Sequence, residues 1–88
     1  MAMPDYEVNA RQDIQDGISL AGKDYILKAV ADKNLTLLNL IREDGVGFTW
    51  NDVLWDWDYF SYVSPLYVAI HMQDEDLVSL LRSYGANI

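Results

Sequence analysis

Shifted by 40 residues, the chain aligns with itself. Ile26 to Phe48 falls on Leu66 to Ile88, with Ala29 on Ala69, Leu37 on Leu77, Leu40 on Leu80, Arg42 on Arg82 and Gly45 on Gly85. Val30 meets Ile70, Leu38 meets Val78 and Ile41 meets Leu81, so apolar positions coincide almost throughout. Such a repeat constrains the fold strongly. One copy cannot bury its apolar face alone, so the copies must stack to exclude water.

Each copy reads as two short helices and a stop. In the second, the Ser64 hydroxyl can accept from free backbone N–H groups, and Pro65 suits the first helical position. Leu66, Ala69 and Ile70 form a stripe at i, i+3, i+4. Gln73-Asp74 turns the chain, and Asp74-Glu75-Asp76 places negative charge where the next helix dipole favours it. Leu77, Val78, Leu80 and Leu81 face the core, Arg82 sits in the last turn, and Gly85 follows where a left-handed cap is needed. The first copy repeats the plan with Ile26 to Ala31, a turn at Asp32-Lys33-Asn34, a helix from Leu35 to Glu43, and Gly45 as the stop.

The run Ser64-Pro65-Leu66-Tyr67-Val68-Ala69, then Asp76 to Leu81 and Tyr84-Gly85-Ala86-Asn87-Ile88, resembles an ankyrin repeat. The family pattern is T-P-L-H-x-A, with a second helix ending near L-L-x-x-G-A. Serine stands here for the threonine and Tyr67 for the histidine. In the first copy Asp24-Tyr25-Ile26-Leu27-Lys28-Ala29 lacks the proline, and Val46 follows Gly45. Val8-Asn9-Ala10-Arg11 looks like the approach to a finger of such an array. The resemblance implies an all-α stack of helix–turn–helix units that binds other proteins through its fingers and inner helices. As one domain, the chain divides into a lead-in and first finger (1–24), first helices (25–45), a finger (46–63) and a second repeat (64–88). The period exceeds the family's usual spacing of about 33 residues, and about three repeats are normally needed for a stable stack. The extra residues lie between Gly45 and Ser64. An open end must be covered by this long finger, by a second copy or by a partner.

The long finger holds all three tryptophans, both phenylalanines and only aspartates among charged residues. Val53, Trp55, Trp57, Tyr59 and Val63 share one parity; Asp56 and Asp58 share the other with Leu54, Phe60 and Tyr62. This alternation predicts an extended hairpin with one aromatic face. A helix would aim Trp55 and Trp57 about 200° apart at roughly 100° per residue. Rigid aromatics beside carboxylates suit a protein-binding surface, because they bury much area while losing few rotamers. The candidate partner-binding residues are Trp50, Asp52, Trp55, Asp56, Trp57, Asp58, Tyr59, Phe60 and Tyr62. The same rings could instead fill the gap left by missing repeats, and a mixture is expected, with Phe48 and Val63 in the core.

Charge narrows the partner. Residues 1–42 hold six acids and five bases, whereas 43–81 hold eight acids and no Lys or Arg, so the excess negative charge is concentrated in the second half. Nucleic-acid backbones need a positive patch, so direct binding to them is not expected. A basic protein surface is favoured, since complementary fields steer encounter. The chain lacks cysteine and has only His71, which leaves no usual zinc set. Asp52, Asp56 and Asp58 lack the glycine and terminal glutamate of a calcium loop. His71 near Asp74 and Glu75 has no accompanying nucleophile or phosphate-loop motif. The expectation is therefore a non-enzyme without cofactor or metal, with no membrane span, in a reducing, cytoplasmic setting. Its role is that of a stand-alone inhibitor or regulator occupying a basic partner. The alternatives are an acidic nucleic-acid mimic that blocks a nuclease or defence complex, and a scaffold that pairs its open repeat ends in a homodimer.

Overall fold

The structure is a computed structural model that describes residues 3–87. Met1, Ala2 and the pairing of Phe48 with Ile88 lie outside the described residues. Among these, the elements in order are α1 (Asp5–Gln15), α2 (Tyr25–Ala31), α3 (Leu35–Asp44), β1 (Leu54–Asp56), β2 (Ser61–Val63), α4 (Pro65–His71) and α5 (Glu75–Ser83). The two strands form an antiparallel sheet, so the all-α expectation is corrected to a mixed α/β fold. The strand content falls in the long finger, where aromatic and β-branched side chains favour a pleated backbone over a helix. No described helix is long and apolar enough to cross a membrane.

The self-alignment extends to the backbone. Lys33 and Gln73, 40 positions apart, both take positive φ, 51° and 60°. In the first turn Lys33 N–H donates to Val30 O at 3.0 Å and Asn34 N–H to Ala29 O at 2.9 Å. In the second, Gln73 N–H donates to Ile70 O at 2.9 Å and Asp74 N–H to Ala69 O at 3.4 Å. Both are Schellman turns, which satisfy the carbonyls a helix leaves free at its end. Asn34 and Asp74 then cap the next helices, accepting from Leu37 N–H at 3.2 Å and Leu77 N–H at 3.0 Å.

The copies part at their second stop. Gly85 has φ 100°, and Ala86 N–H reaches Leu81 O at 3.1 Å, as a left-handed cap requires. Gly45 instead stays extended, with φ −68°. It serves close approach, because a Cβ there would lie 2.5 Å from Ile41 O and 2.7 Å from Leu20 Cδ1. Leu20 N–H then donates to Val46 O at 2.8 Å, which ties the first finger to the second.

Within the lead-in lies a helix that the sequence did not suggest. Residues 5–15 form α1, which includes the Val8 to Arg11 run read as the approach to a finger. Asp5 and Glu7 sit in its first turn, where the dipole favours acids. Tyr6, Ala10 and Ile14 recur every four residues and meet the core. The helix packs on α2 and α3 and covers the first pair.

That cover explains a difference in burial between equivalent residues. Val30 is fully buried, but its counterpart Ile70 is 42% exposed. Leu38 is buried and Val78 is half-buried. α2 lies between α1 and α4, whereas α4 is packed by α2 and α5, and among the described residues no further pair packs beyond it. The stripe on α4 is thus Pro65, Leu66, Val68 and Ala69, and Ile70 is not part of it.

Polar ties run along the turns. Asn34 donates to Glu7 Oε1 at 2.7 Å while its own carbonyl caps α3. Arg11 holds the other Glu7 oxygen at 2.8 Å. Tyr6 donates to Asp32 at 2.8 Å. Lys33 pairs with Asp74 at 2.9 Å and joins the two turns. The Asn34 and Arg11 hydrogen bonds hold the Glu7 carboxyl below its ordinary value of 4.5.

Asn34→Ala is expected to cost about 1–2 kcal/mol in urea unfolding, as lost N-caps do. Asn34→Asp keeps the cap acceptor but sets a carboxylate against Glu7, so its deficit should shrink as pH falls and either group protonates. The depressed Glu7 pKa means that the unfolded chain binds more protons below pH 4.5. Stability should therefore fall as pH drops from there through the folded-state pKa, and Glu7→Gln should flatten that part of the curve. Melting temperatures between pH 3 and 7 would check both statements.

Candidate functional site

The long finger has a root that folds back on the helices and a tip that projects. In the root, Thr49 donates to Asp52 through N–H at 3.1 Å and through its hydroxyl at 2.9 Å. Asp52 thus closes a local turn, and both its oxygens are engaged. Trp50 is only 9% exposed, lying 5.2 Å from Phe48 and 5.1 Å from Tyr84 between ring centroids. The Arg42 guanidinium covers the Tyr84 ring at 5.1 Å. Asn51 donates to Gly85 O at 3.2 Å and accepts from Asn87 N–H at 2.7 Å, which pins the C-terminal segment to the root. Asn51 and Tyr84 carried no motif that would have marked them in sequence.

The register pairs Leu54 with Val63, Trp55 with Tyr62 and Asp56 with Ser61. Partners therefore have opposite parity, and each face combines odd residues of one strand with even residues of the other. This corrects the single aromatic face expected from parity. Leu54 and Val63 point together into the core, while Trp55 and Tyr62 form a cross-strand pair on the other face, 5.2 Å apart.

Four residues, Trp57 to Phe60, make the tip. Asp56 Oδ1 accepts from Asp58 N–H at 2.7 Å and Tyr59 N–H at 3.3 Å, an Asx turn that starts the reversal. Tyr59 leaves the tip and leans on α4, 5.0 Å from His71 and 5.8 Å from Tyr67. Burial, then Asp56, raises its hydroxyl pKa. Trp57, Phe60 and Tyr62 remain 67%, 74% and 66% exposed. Trp55 is half-buried and stands edge-to-face with both Trp57 and Tyr62; its indole N–H is buried without a hydrogen-bond partner.

Of the nine expected residues, Trp57, Asp58 and Phe60 lie in the tip, and Trp55, Asp56 and Tyr62 on the strands beside it. Trp50 and Asp52 belong to the root, and Tyr59 packs against α4. Val53 at 60% exposure and Tyr67 at 48% extend the exposed apolar surface and were not among the residues expected to bind a partner.

Phe60 is anomalous in two respects. Its φ is +49°, a region that disfavours bulky L-residues and suits Gly or Asn. Its ring is also largely in water. The side chain therefore adds strain and exposed apolar area to the fold, and gains only a 6.4 Å edge contact with Trp57.

Beside the tip is a cleft of about 290 Å³. Asp24, Leu27, Lys28 and Ala31 line it from α2 and its cap, and Trp55 to Asp58 from the hairpin. Among the described residues no group of three His, Asp or Glu side chains is gathered closely enough to hold a metal ion. No family model, curated protein or solved structure matches the chain.

Two tryptophans should separate root from tip. Trp50→Ala is expected to cost about 3–5 kcal/mol, as large-to-small changes in a core do. Trp57→Ala should stay within about 0.5 kcal/mol of the parent, as exposed positions do. Phe60→Gly, which removes the left-handed strain, should leave stability equal or raise it by up to about 1 kcal/mol. Urea unfolding followed by far-ultraviolet circular dichroism reads all three.

Proposed function

We propose that the chain is a protein-interaction module that inhibits or regulates a partner by occupying a basic surface with its hairpin tip. The observation that carries this reading is Phe60, which is strained and exposed beside Trp57 and Tyr62. Among the described residues the Phe60 ring gains an edge contact with Trp57 alone, and a partner that covered these rings would bury the apolar area now left in water. Exposed aromatic clusters of this kind mark interfaces, and aromatics dominate binding energy where water is excluded. The uninterrupted acidity of residues 43–81 supports a basic partner. An ankyrin-type arrangement, in which stacked helix pairs hold a finger out to a partner, is part of the same proposal. Nucleic-acid mimicry is less favoured, because Asp52 and Asp56 accept hydrogen bonds from their own neighbours and Asp74 is paired with Lys33.

The test is affinity capture with the tagged chain, followed by titration of the captured protein against parent and variants. Trp57→Ala with Phe60→Ala should weaken binding by about 2 kcal/mol or more, roughly thirtyfold, with the melting temperature unchanged. Binding should also weaken as salt rises. A partner that binds the double variant with parental affinity rejects this surface.

A further inference from the structure

We infer that the cleft between α2 and the hairpin is a receptor site for one arginine side chain of the partner; this rests on the basic-partner reading above. Three features of the cleft combine. Its aliphatic wall is Leu27 and Ala31, and its aromatic wall is the indole pair Trp55 and Trp57, in edge-to-face contact at 5.6 Å. Three carboxylates, Asp24, Asp56 and Asp58, line it against one cation, Lys28. Among the described residues none of these four charges takes part in an ion pair.

Size and charge select the occupant. At about 290 Å³ the cleft lies at the small end of the range of roughly 300–1,000 Å³ typical of ligand sites. It suits a single long side chain. An excess of two negative charges among its lining residues (three carboxylates against one ammonium) calls for a cation. Arginine fits better than lysine. Its planar guanidinium stacks on indole, forks to a carboxylate and loses less hydration than an ammonium does. The three-carbon stem lies along the aliphatic wall in the manner of a snorkelling side chain. Asp56 Oδ1 is engaged by the Asx turn, which leaves Oδ2, Asp24 and the exposed Asp58 to meet the cation.

Lys28 gives the inference its sharpest consequence. It is the residue in the cleft wall that repels the incoming guanidinium. Its removal should strengthen binding, an effect that a purely structural role for the cleft does not produce.

The experiment is an amide-resonance titration of the isotope-labelled 88-residue chain with the peptide acetyl-Gly-Arg-Gly-amide. Its lysine and citrulline counterparts are controls, citrulline being the neutral isostere. Saturable shifts are expected at residues 24–31 and 55–58 and at the Trp55 and Trp57 indoles, with arginine ahead of lysine and citrulline weakest. Lys28→Gln should tighten arginine binding and Asp58→Asn should weaken it, each by about two- to fivefold, the scale of exposed charge pairs. Trp57→Ala should weaken it further. The absence of a saturable shift, equal binding of citrulline, or shifts that map away from the cleft would overturn the inference. If the peptide fails while the Trp57/Phe60 double variant still loses the captured partner, the cleft assignment falls and the proposed function stands.

Discussion

A pair of short helices has one apolar stripe per helix and no means of burying it alone, so everything in this molecule depends on what lies on either side of α2. Ile26, Ala29 and Val30 are fully buried because α1, α3 and α4 enclose them. Removing any of these neighbours would return part of that stripe to water. The polar ties follow from the same geometry. Stacking two copies brings their turns into line, and Lys33 then finds Asp74, while α1 packed on the first copy brings Glu7 to Asn34. These ties set the register between units that are each too small to hold their own shape.

The scaffold assigns opposite tasks to neighbouring rings. Trp50 and Trp57 are seven positions apart on the same finger, yet one is core and the other is largely solvated. The root of the finger is fastened by Asp52 and Asn51, so the tip can carry unfavourable features without loosening the helices. A strained phenylalanine and a cluster of exposed rings are tolerable at such a place, where function commonly concentrates on a loop held by a rigid frame. The surrounding acids set like charge against any acidic surface that approaches these rings.

Local chemistry was legible in the sequence, and contacts between distant segments were not. The repeat, the Ser64 cap and the Gly85 stop could be read because each depends on residues within one or two turns. The extended finger was also visible, but its faces were misassigned. Parity carries no information across a reversal until the loop length and register are known, and Trp55 consequently pairs with Tyr62 rather than sharing a face with Val63. The α1 helix was missed because its stripe rests on Tyr6, a small alanine and Ile14, a weak signal among charged residues. The all-α expectation failed because the class was taken from the helices that the resemblance describes, although the extended hairpin expected at 46–63 supplies the two strands. Nothing in sequence separates a buried tryptophan from an exposed one when both lie in the same aromatic run. The strain at Phe60, which weighs most in the functional reading, is a backbone property and has no sequence signature at all.

The Asn51 bridge couples the root of the hairpin to the residues that follow α5 through two hydrogen bonds. Its amide bonds both Gly85 and Asn87, while the hairpin whose root it anchors carries the exposed rings. The α4–α5 pair is the less covered side of the stack, so it is the side expected to open first in local fluctuations. Any partner that stiffens the hairpin therefore also slows fraying of the last helix, at a distance from the point of contact. By linkage, loosening that helix would raise the free-energy cost of engaging the tip.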